Sequence, residues 1–208
     1  MVKVIICYDD NDSRLGDYFK SSYTDIKARA TGNIYVHSIN GLDCNETNIQ
    51  AATAEIKPFI FIGLSHGSAS QLGTSNDIYV DSSNIAHFKD SLFYSTACST
   101  ALDLGKKLIS VDCMCYVGYS KDTYATYDDY HSVYIECENY CIKEFLNPLK
   151  SIQTAYNEML DYFDEQIDLL FAKDIVEVLV AMELQHNKDS FVIYGKTNLK
   201  KSNFEIEL

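Results

Sequence analysis

Short runs of apolar residues, rich in valine, isoleucine and phenylalanine, recur through the first 120 positions of the chain. Runs of this length and composition are typical of strands that are buried on both faces of a parallel sheet. Two shorter apolar segments resemble additional strands, one before the fourth run and one near the end of the chain. The pattern therefore predicts main strands at 2–8, 33–39, 59–64, 91–96 and 113–119, with further strands at 77–81 and 190–195.

Between these runs, apolar side chains recur at helical spacing. They predict helices at 14–27, 45–56 and 101–109, with Asn45 as the cap of the second. Residues 119–131 lack a clear period and are predicted to form a long loop, and most of the chain after them is predicted to be helical. Strands that alternate with helices imply βαβ units. We therefore predict an α/β fold, a three-layer αβα sandwich with a mostly parallel central sheet.

The composition fits a single domain over residues 1–208, since 47% of the residues are apolar and can form a sizeable core. The chain has no apolar run long enough for a transmembrane helix, and its apolar start meets Asp9 too soon for a secretory signal. We therefore expect a cytoplasmic protein. The odd number of cysteines, seven, favours reduced thiols in that compartment.

The formal net charge of −13 limits the classes of partner. A surface of this sign repels phosphate backbones and anionic lipids, so we expect neither nucleic acid nor membrane as a partner. A basic peptide or protein is electrostatically favoured. The alternative is that the acidic surface only keeps the protein in solution.

Two reactive side chains follow consecutive core strands. His66 comes after the third main strand and Cys98 after the fourth. In open α/β sheets, ligand sites lie beyond the carboxyl ends of the strands, and a thiol there needs a neighbouring base to become a thiolate. We predict that Cys98 is a nucleophile and His66 its base. The backbone N–H groups of Gly67 and Cys98 are the expected oxyanion hole.

The segments that carry these residues are Ser65-His66-Gly67 and Ala97-Cys98-Ser99-Thr100. Their order and their strand context resemble the caspase-like clan of cysteine peptidases, which includes caspases, clostripain, separase and the bacterial CHAT peptidases. CHAT-type and clostripain-like members are the most similar. The resemblance implies a caspase-like fold and cysteine endopeptidase activity on a protein or peptide, with no metal or organic cofactor. It also implies that a partner protein activates the enzyme.

The sequence departs from the caspases themselves. Their Gln-Ala-Cys-x-Gly signature is absent, and the distance from His66 to Cys98 along the chain is shorter than the about 50 residues typical of caspases. Caspases hold an aspartate side chain with arginines, whereas this chain has only Arg14 and Arg29, so Arg14 alone leaves that specificity open.

Clan members that cleave after arginine or lysine use carboxylates instead, in a pocket between the first-strand loop and the strand after the cysteine. We predict that Asp9 and Asp10 in the first loop, and Asp122 after the fifth strand, bind a basic P1 side chain. Asp12 belongs to the same loop. Solvation of the surface explains these aspartates about as well.

Two other functions remain open. The first alternative is a catalytically inactive adaptor or pseudoenzyme of the same fold. The chain also fits a flavodoxin-like signalling or binding domain, in which the acidic segment 9–12 holds Mg²⁺ and Lys121 completes the site. A zinc site from His131, Cys137 and Cys141 is disfavoured, because four ligands cannot be named.

Overall fold

The computed structural model describes residues 1–54 and 56–206. Its main sheet has six strands in the order β2-β1-β3-β7-β8-β9, and a smaller sheet has the order β4-β5-β6. The strands of the main sheet are β1 (Val2–Tyr8), β2 (Ile34–Asn40), β3 (Phe59–Leu64), β7 (Ser91–Ser95), β8 (Cys115–Tyr119) and β9 (Phe191–Gly195). The small sheet consists of β4 (His66–Ser68), β5 (Gln71–Gly73) and β6 (Ile78–Val80).

Helices connect and cover these strands. They are α1 (Gly16–Arg29), α2 (Glu46–Ala54), α3 (Leu104–Ser110), α4 (His131–Phe145), α5 (Ile152–Phe171) and α6 (Ile175–Ser190). All neighbouring pairs from β2 to β8 are parallel, and only β9 runs antiparallel to its neighbour β8. The predicted α/β architecture with a mostly parallel central sheet is confirmed.

The central strands are buried on both faces, as their unbroken apolar sequence predicts. On β1, Val4 and Ile6 pack into one core cluster, whereas Ile5 and Cys7 pack into the other. This alternation follows from the two-residue period of a strand. The sheet therefore separates two hydrophobic cores, one on each face.

Each core is closed by its own layer. Buried residues of α1, α4, α5 and α6 pack on one face of the sheet. Buried residues of α2, α3 and the small sheet pack on the other face. The resulting three layers place the carboxyl ends of β1, β3 and β7 side by side, which is where the sequence predicts the site.

The element boundaries differ from the predicted ones by a few residues. Asn45 caps α2 as expected, since its side-chain oxygen accepts a hydrogen bond of 3.0 Å from the backbone N–H of Asn48. The far end of the helix predicted over 45–56 includes residue 55, which lies outside the described residues. Strands β4 and β5 were not predicted, because each has only three residues and none of the runs that the pattern detects. Across residues 1–54 and 56–206, no helix has the length and apolar character needed to cross a membrane.

Candidate active site

The site lies where β3 and β7 end. These strands are parallel neighbours, and Gly63 is the register partner of Ser95. His66 and Cys98 each follow three residues after these positions. Both side chains line one cavity of about 330 Å³, which we call the strand-end cavity. Its lining residues are Arg14, Leu15, Tyr18, Phe19, Ser65, His66, Thr96, Ala97, Cys98, Thr123, Tyr124, Ala125, Thr126 and Glu138.

Gly67 lets the two segments approach each other closely. A Cβ atom on Gly67 would lie 2.7 Å from the Cβ of Ala97, 2.7 Å from Cγ2 of Thr100 and 3.1 Å from the carbonyl oxygen of Cys98. The first two distances are shorter than carbon atoms tolerate, so only glycine fits here. The backbone after His66 is therefore in contact with the backbone around Cys98. The oxyanion role of the Gly67 and Cys98 N–H groups stays a prediction.

The His66 ring has a carboxylate partner that orients it. Nε2 of His66 lies 3.1 Å from Oδ2 of Asp12, and the ring of Phe19 packs against the imidazole edge-on, with the ring centroids 5.5 Å apart. An ionised carboxylate only accepts hydrogen bonds, so Nε2 carries the proton and Nδ1 is the basic nitrogen. The arrangement of a base held by a third group is the one expected of an activated nucleophile.

Asp12 is held in its charged form by the start of α1. Burial by itself would raise the pKa of Asp12, but hydrogen bonds from the backbone N–H groups of Leu15 (2.6 Å) and Arg14 (2.9 Å), together with His66, lower the pKa below its ordinary value. The carboxylate is therefore charged at neutral pH and accepts a hydrogen bond from the imidazole of His66. Sequence reasoning placed Asp12 among the pocket carboxylates and missed this orienting role.

Cys98 differs from the other cysteines in its exposure. It is partly exposed, whereas the remaining six are buried. The turn that presents it includes Ser99, a non-glycine residue with φ of 60°, whose N–H donates to the carbonyl of Lys121 at 2.9 Å. Left-handed backbone at a non-glycine residue occurs often at functional sites. The turn sets the thiol at the cavity wall.

Thr123 holds the thiol from the loop after β8. The backbone N–H of Thr123 donates to Sγ of Cys98 at 3.3 Å, and its hydroxyl oxygen lies 3.4 Å from the same sulfur. Among the residues that the structure describes, no hydrogen bond links His66 to Cys98. The structure thus brings the predicted base and nucleophile into one cavity without joining them, and catalytic hydrogen bonds are often long in unliganded enzymes.

The three predicted substrate-binding carboxylates do not line the strand-end cavity. Asp9 is fully buried, where one oxygen accepts the N–H of Ser75 at 3.2 Å and the other, Oδ1, has no hydrogen-bond partner among the described residues. Asp10 pairs with the side-chain amide of Asn40, at the end of β2. Asp122 accepts the hydroxyl of Ser99 at 2.7 Å and directly precedes the cavity-lining Thr123. Of the three, only Asp122 lies beside the cavity.

A carboxylate that the sequence did not single out does line the cavity. Glu138 of α4 is buried and accepts hydrogen bonds from the hydroxyls of Tyr18 (2.7 Å) and Tyr119 (3.1 Å). Burial raises the pKa of Glu138 to about 7, although the two tyrosine hydrogen bonds lower it. The signal in the sequence was an acidic residue next to Cys137, on the buried side of an amphipathic helix.

We expect Glu138→Gln to change how stability depends on pH. Between its ordinary pKa of 4.5 and about 7, the folded chain keeps a proton on Glu138 that the unfolded chain has lost. Rising pH therefore lowers the free energy of unfolding across this range, by about 3 kcal/mol in total. Glutamine removes this contribution, so urea unfolding between about pH 5 and pH 8 should show a flatter decline for the variant than for wild type.

The matched control for that measurement is Glu165→Gln, which removes the same charge from an exposed position on α5. Its pH dependence should follow that of wild type. Parallel curves for Glu138→Gln and wild type would show that Glu138 titrates normally in the folded chain.

Within residues 1–54 and 56–206, no three or more histidine, cysteine, aspartate or glutamate side chains form a group that could hold a metal ion. Asp9 and Asp10 are bonded to separate partners, as described above. Nε2 of His131 lies 3.2 Å from the carbonyl of Ala125, and Cys137 and Cys141 are buried in the core. Neither the Mg²⁺ site of a signalling domain nor the zinc site has a ligand set here.

The sequence matches no protein-family model and no curated protein. Similarity is found among solved structures. The separase–securin complex of Saccharomyces cerevisiae matches with a TM-score of 0.59 and 12% identity, over 94% of this chain. The chain has a caspase-like fold. A second structure of that complex matches with a TM-score of 0.52 and 18% identity, over 93% of this chain.

The caspase-like fold is what these matches establish, because their sequence identity is low. The chain spans 12% of the separase chain in both structures. A secreted C11 cysteine protease from Bacteroides thetaiotaomicron, in complex with an irreversible peptide inhibitor, matches with a TM-score of 0.43 and 9% identity, over 85% of this chain and 72% of that chain.

Proposed function

We propose that this chain is a cysteine endopeptidase of the caspase-like type, with Cys98 as nucleophile and His66 as base. The observation that carries the proposal is the shared strand-end cavity. It contains the one partly exposed thiol of the chain and an imidazole that Asp12 orients. A nucleophile, a base and a group that orients the base form the arrangement expected for acyl transfer.

In the proposed reaction, the sulfur of Cys98 attacks the scissile carbonyl carbon as a thiolate, and its proton passes to Nδ1 of His66. Asp12 stabilises the resulting imidazolium. The N–H groups of Gly67 and Cys98 stabilise the oxyanion, and His66 returns the proton to the leaving amine as the peptide bond breaks. Water then hydrolyses the thioester, and the thiol is regenerated. None of these steps needs a metal or an organic cofactor.

We further propose that the substrate carries a basic P1 residue. Support comes from Glu138, which lines the strand-end cavity, and from Asp122 at its edge. A guanidinium that enters the cavity would pair with the Glu138 carboxylate and favour its ionised form. Arg14 also lines the cavity and is the one feature that favours an acidic P1 residue instead.

The finer parts of the proposal rest on resemblance. The likeness to CHAT-type and clostripain-like peptidases is a proposal of this kind, whereas the single domain over residues 1–208 and the cytoplasmic location are proposals from the composition and sequence. The structurally similar separase was crystallised with securin. We therefore propose that a protein is the substrate or the activating partner of this chain. The charge of −13 makes a basic protein the favoured one.

Covalent peptidyl probes test the function and the P1 preference together. We expect an acyloxymethyl ketone with arginine at P1 to form a thioether at Cys98, detected by intact mass and peptide mapping. The matched probe with aspartate at P1 should react about tenfold more slowly, because Glu138 and Asp122 repel it. Equal rates would contradict the basic preference, and attachment at any other cysteine would contradict the assignment of Cys98.

A second candidate, a catalytically inactive member of the same fold, is favoured by one observation. Sγ of Cys98 is bonded to Thr123 and not to His66. Iodoacetamide separates the two candidates. In either case Cys98 should be alkylated fastest, since burial raises the pKa of Cys113 to about 11 and also raises those of Cys7, Cys115, Cys137 and Cys141. In an enzyme, the alkylation rate at Cys98 should fall when His66 is replaced with alanine. In an inactive member, the alkylation rate at Cys98 should be the same with and without the His66 side chain.

A further inference from the structure

Helix α6 carries apolar side chains on the face that points away from the core. Ile175 is 71% exposed and Met182 is 57% exposed, and Leu179 lies between them at helical spacing. Two more large apolar side chains are exposed at the end of α5, just before the turn into α6. The complete set, which we call the α6 outer patch, is Leu169, Phe171, Ile175, Val176, Leu179 and Met182.

The fold itself does not require these side chains. The opposite face of α6 supplies the packing, with Val180, Ala181 and Leu184 fully buried in the core. Single exposed apolar residues are common on protein surfaces, but six within 14 positions along one helical hairpin are not. Concentrated exposure of this kind marks a surface that another molecule covers.

The charges around the patch select its occupant. Asp168 and Asp174 are exposed within and beside it, and they outnumber the one base there, Lys173. Glu177 interacts with the hydroxyl of Tyr130, and the whole chain carries −13. A second copy would bring the same acidic residues against them, and an anionic membrane would bring negative headgroups. Both are repelled at this short range. An apolar helix flanked by lysine or arginine satisfies both the apolar stripe and its acidic border.

We propose that the α6 outer patch docks a basic amphipathic helix of another protein. Its apolar side chains pack on the stripe of Ile175, Leu179 and Met182, and its basic side chains pair with the acidic border. This docking function goes beyond peptide-bond hydrolysis and does not depend on it.

The inner side of α6 connects the docking surface to the strand-end cavity. The side chain of Asn187 accepts the N–H of Tyr124 at 2.9 Å and donates to its carbonyl at 2.7 Å. Nε2 of His186 lies 2.9 Å from the carbonyl of Asp122, and a carboxylate oxygen of Glu183 accepts the N–H of Thr126 at 3.2 Å. These bonds fix the segment over 122–126, and residues 123–126 of it line the cavity.

Thr123 lies within this fixed segment and bonds the sulfur of Cys98. A partner that stiffens or shifts α6 therefore acts on the hydrogen bonds of the nucleophile. We expect docking to change the reactivity of Cys98, and this part of the inference rests on the proposed function. The α6 outer patch is then the surface to which the activating partner binds, on the face of α6 that points away from the cavity.

The docking experiment uses a fluorescent lysine–leucine peptide that forms an amphipathic helix, and a glutamate–leucine peptide with the same apolar face. Fluorescence anisotropy should show binding of the lysine peptide alone. The double variant Leu179→Ser/Met182→Ser should weaken that binding at least about tenfold. The control, Leu42→Ser/Leu149→Ser, removes two apolar side chains that are more exposed and lie elsewhere, and it should bind like wild type.

Several results would overturn the docking proposal. They are equal binding by the Leu179→Ser/Met182→Ser variant, no binding up to about 1 mM peptide, and equal binding of the acidic peptide. Dimers that form in wild type but not in the Leu179→Ser/Met182→Ser variant, measured by sedimentation, would identify a second copy as the occupant instead. Stripe-dependent binding to phosphatidylglycerol vesicles would identify a membrane.

The link to the cavity has its own readout, the rate of Cys98 alkylation by iodoacetamide with and without saturating lysine peptide. We expect a change of at least about threefold in wild type and none in the Leu179→Ser/Met182→Ser variant. Binding with an unchanged rate would remove the link and leave the docking site. Peptide binding is measured without any substrate. An inactive Cys98 would therefore contradict the peptidase proposal and leave the docking proposal unaffected.

Discussion

Replacing Cys98 with alanine is expected to abolish peptide hydrolysis. The sulfur is the atom that forms the acyl-enzyme, and nothing else in the strand-end cavity offers a comparable nucleophile at neutral pH. We expect kcat/KM on peptides with arginine or lysine at P1 to fall at least about 10,000-fold, to the background of the assay. The measurement is cleavage of a peptide library by wild type and variant, with mass-spectrometric identification of the products.

The control for this change is Cys137→Ala, which removes a thiol from the core on α4. It should lower the melting temperature by a few degrees through lost packing, with kcat/KM within about threefold of wild type. Cys98→Ala removes a partly exposed side chain and should melt near wild type. Cleavage at an undiminished rate by Cys98→Ala would rule out the assignment of the nucleophile.

Replacing His66 with alanine is expected to cause the second largest loss of activity. Nδ1 of His66 is the proposed proton acceptor, and general-base catalysis contributes about 100- to 10,000-fold. The loss should appear in kcat, with KM little changed, because the side chain acts on the reacting proton. Half of the imidazole surface is exposed, so its removal should leave the fold intact. Added free imidazole should restore part of the rate.

His37→Ala on β2 is the matched control, since that imidazole is partly exposed and lies outside the strand-end cavity. Its kcat should equal that of wild type, and free imidazole should have no effect on it. A His66→Ala enzyme that keeps its full rate would assign the base to another group. A loss that imidazole leaves unchanged would indicate a structural role for His66.

The arrangement of the core could be predicted from sequence because its signals are local. The apolar run of β3, for example, is typical of a strand buried on both faces, and its bounds were predicted correctly as Phe59–Leu64. The direction of β9 could not be predicted in this way. The direction of β9 depends on how the long helical segment before Phe191 returns to the sheet. The residues of the strand itself do not indicate that direction.

The candidate site divides in the same manner. His66 and Cys98 could be found because each follows a recognisable strand. The partners of these residues depend on contacts between distant segments. Asp12 reaches His66 from the loop before α1, and Thr123 reaches Cys98 from the loop after β8. Asp9 does not line the strand-end cavity, because the sequence does not reveal which way a residue turns after a strand ends.

His66 and Cys98 each lie three residues after the paired Gly63 and Ser95. The positions of the imidazole and the thiol therefore depend on the number of residues that follow each strand. A single inserted or deleted residue between Ser95 and Cys98 would change this offset and move the thiol away from its place at the cavity wall. No change of side chain could compensate for that displacement. In related proteins that keep both His66 and Cys98, we therefore expect substitutions, but no insertions or deletions, between Gly63 and His66 and between Ser95 and Cys98.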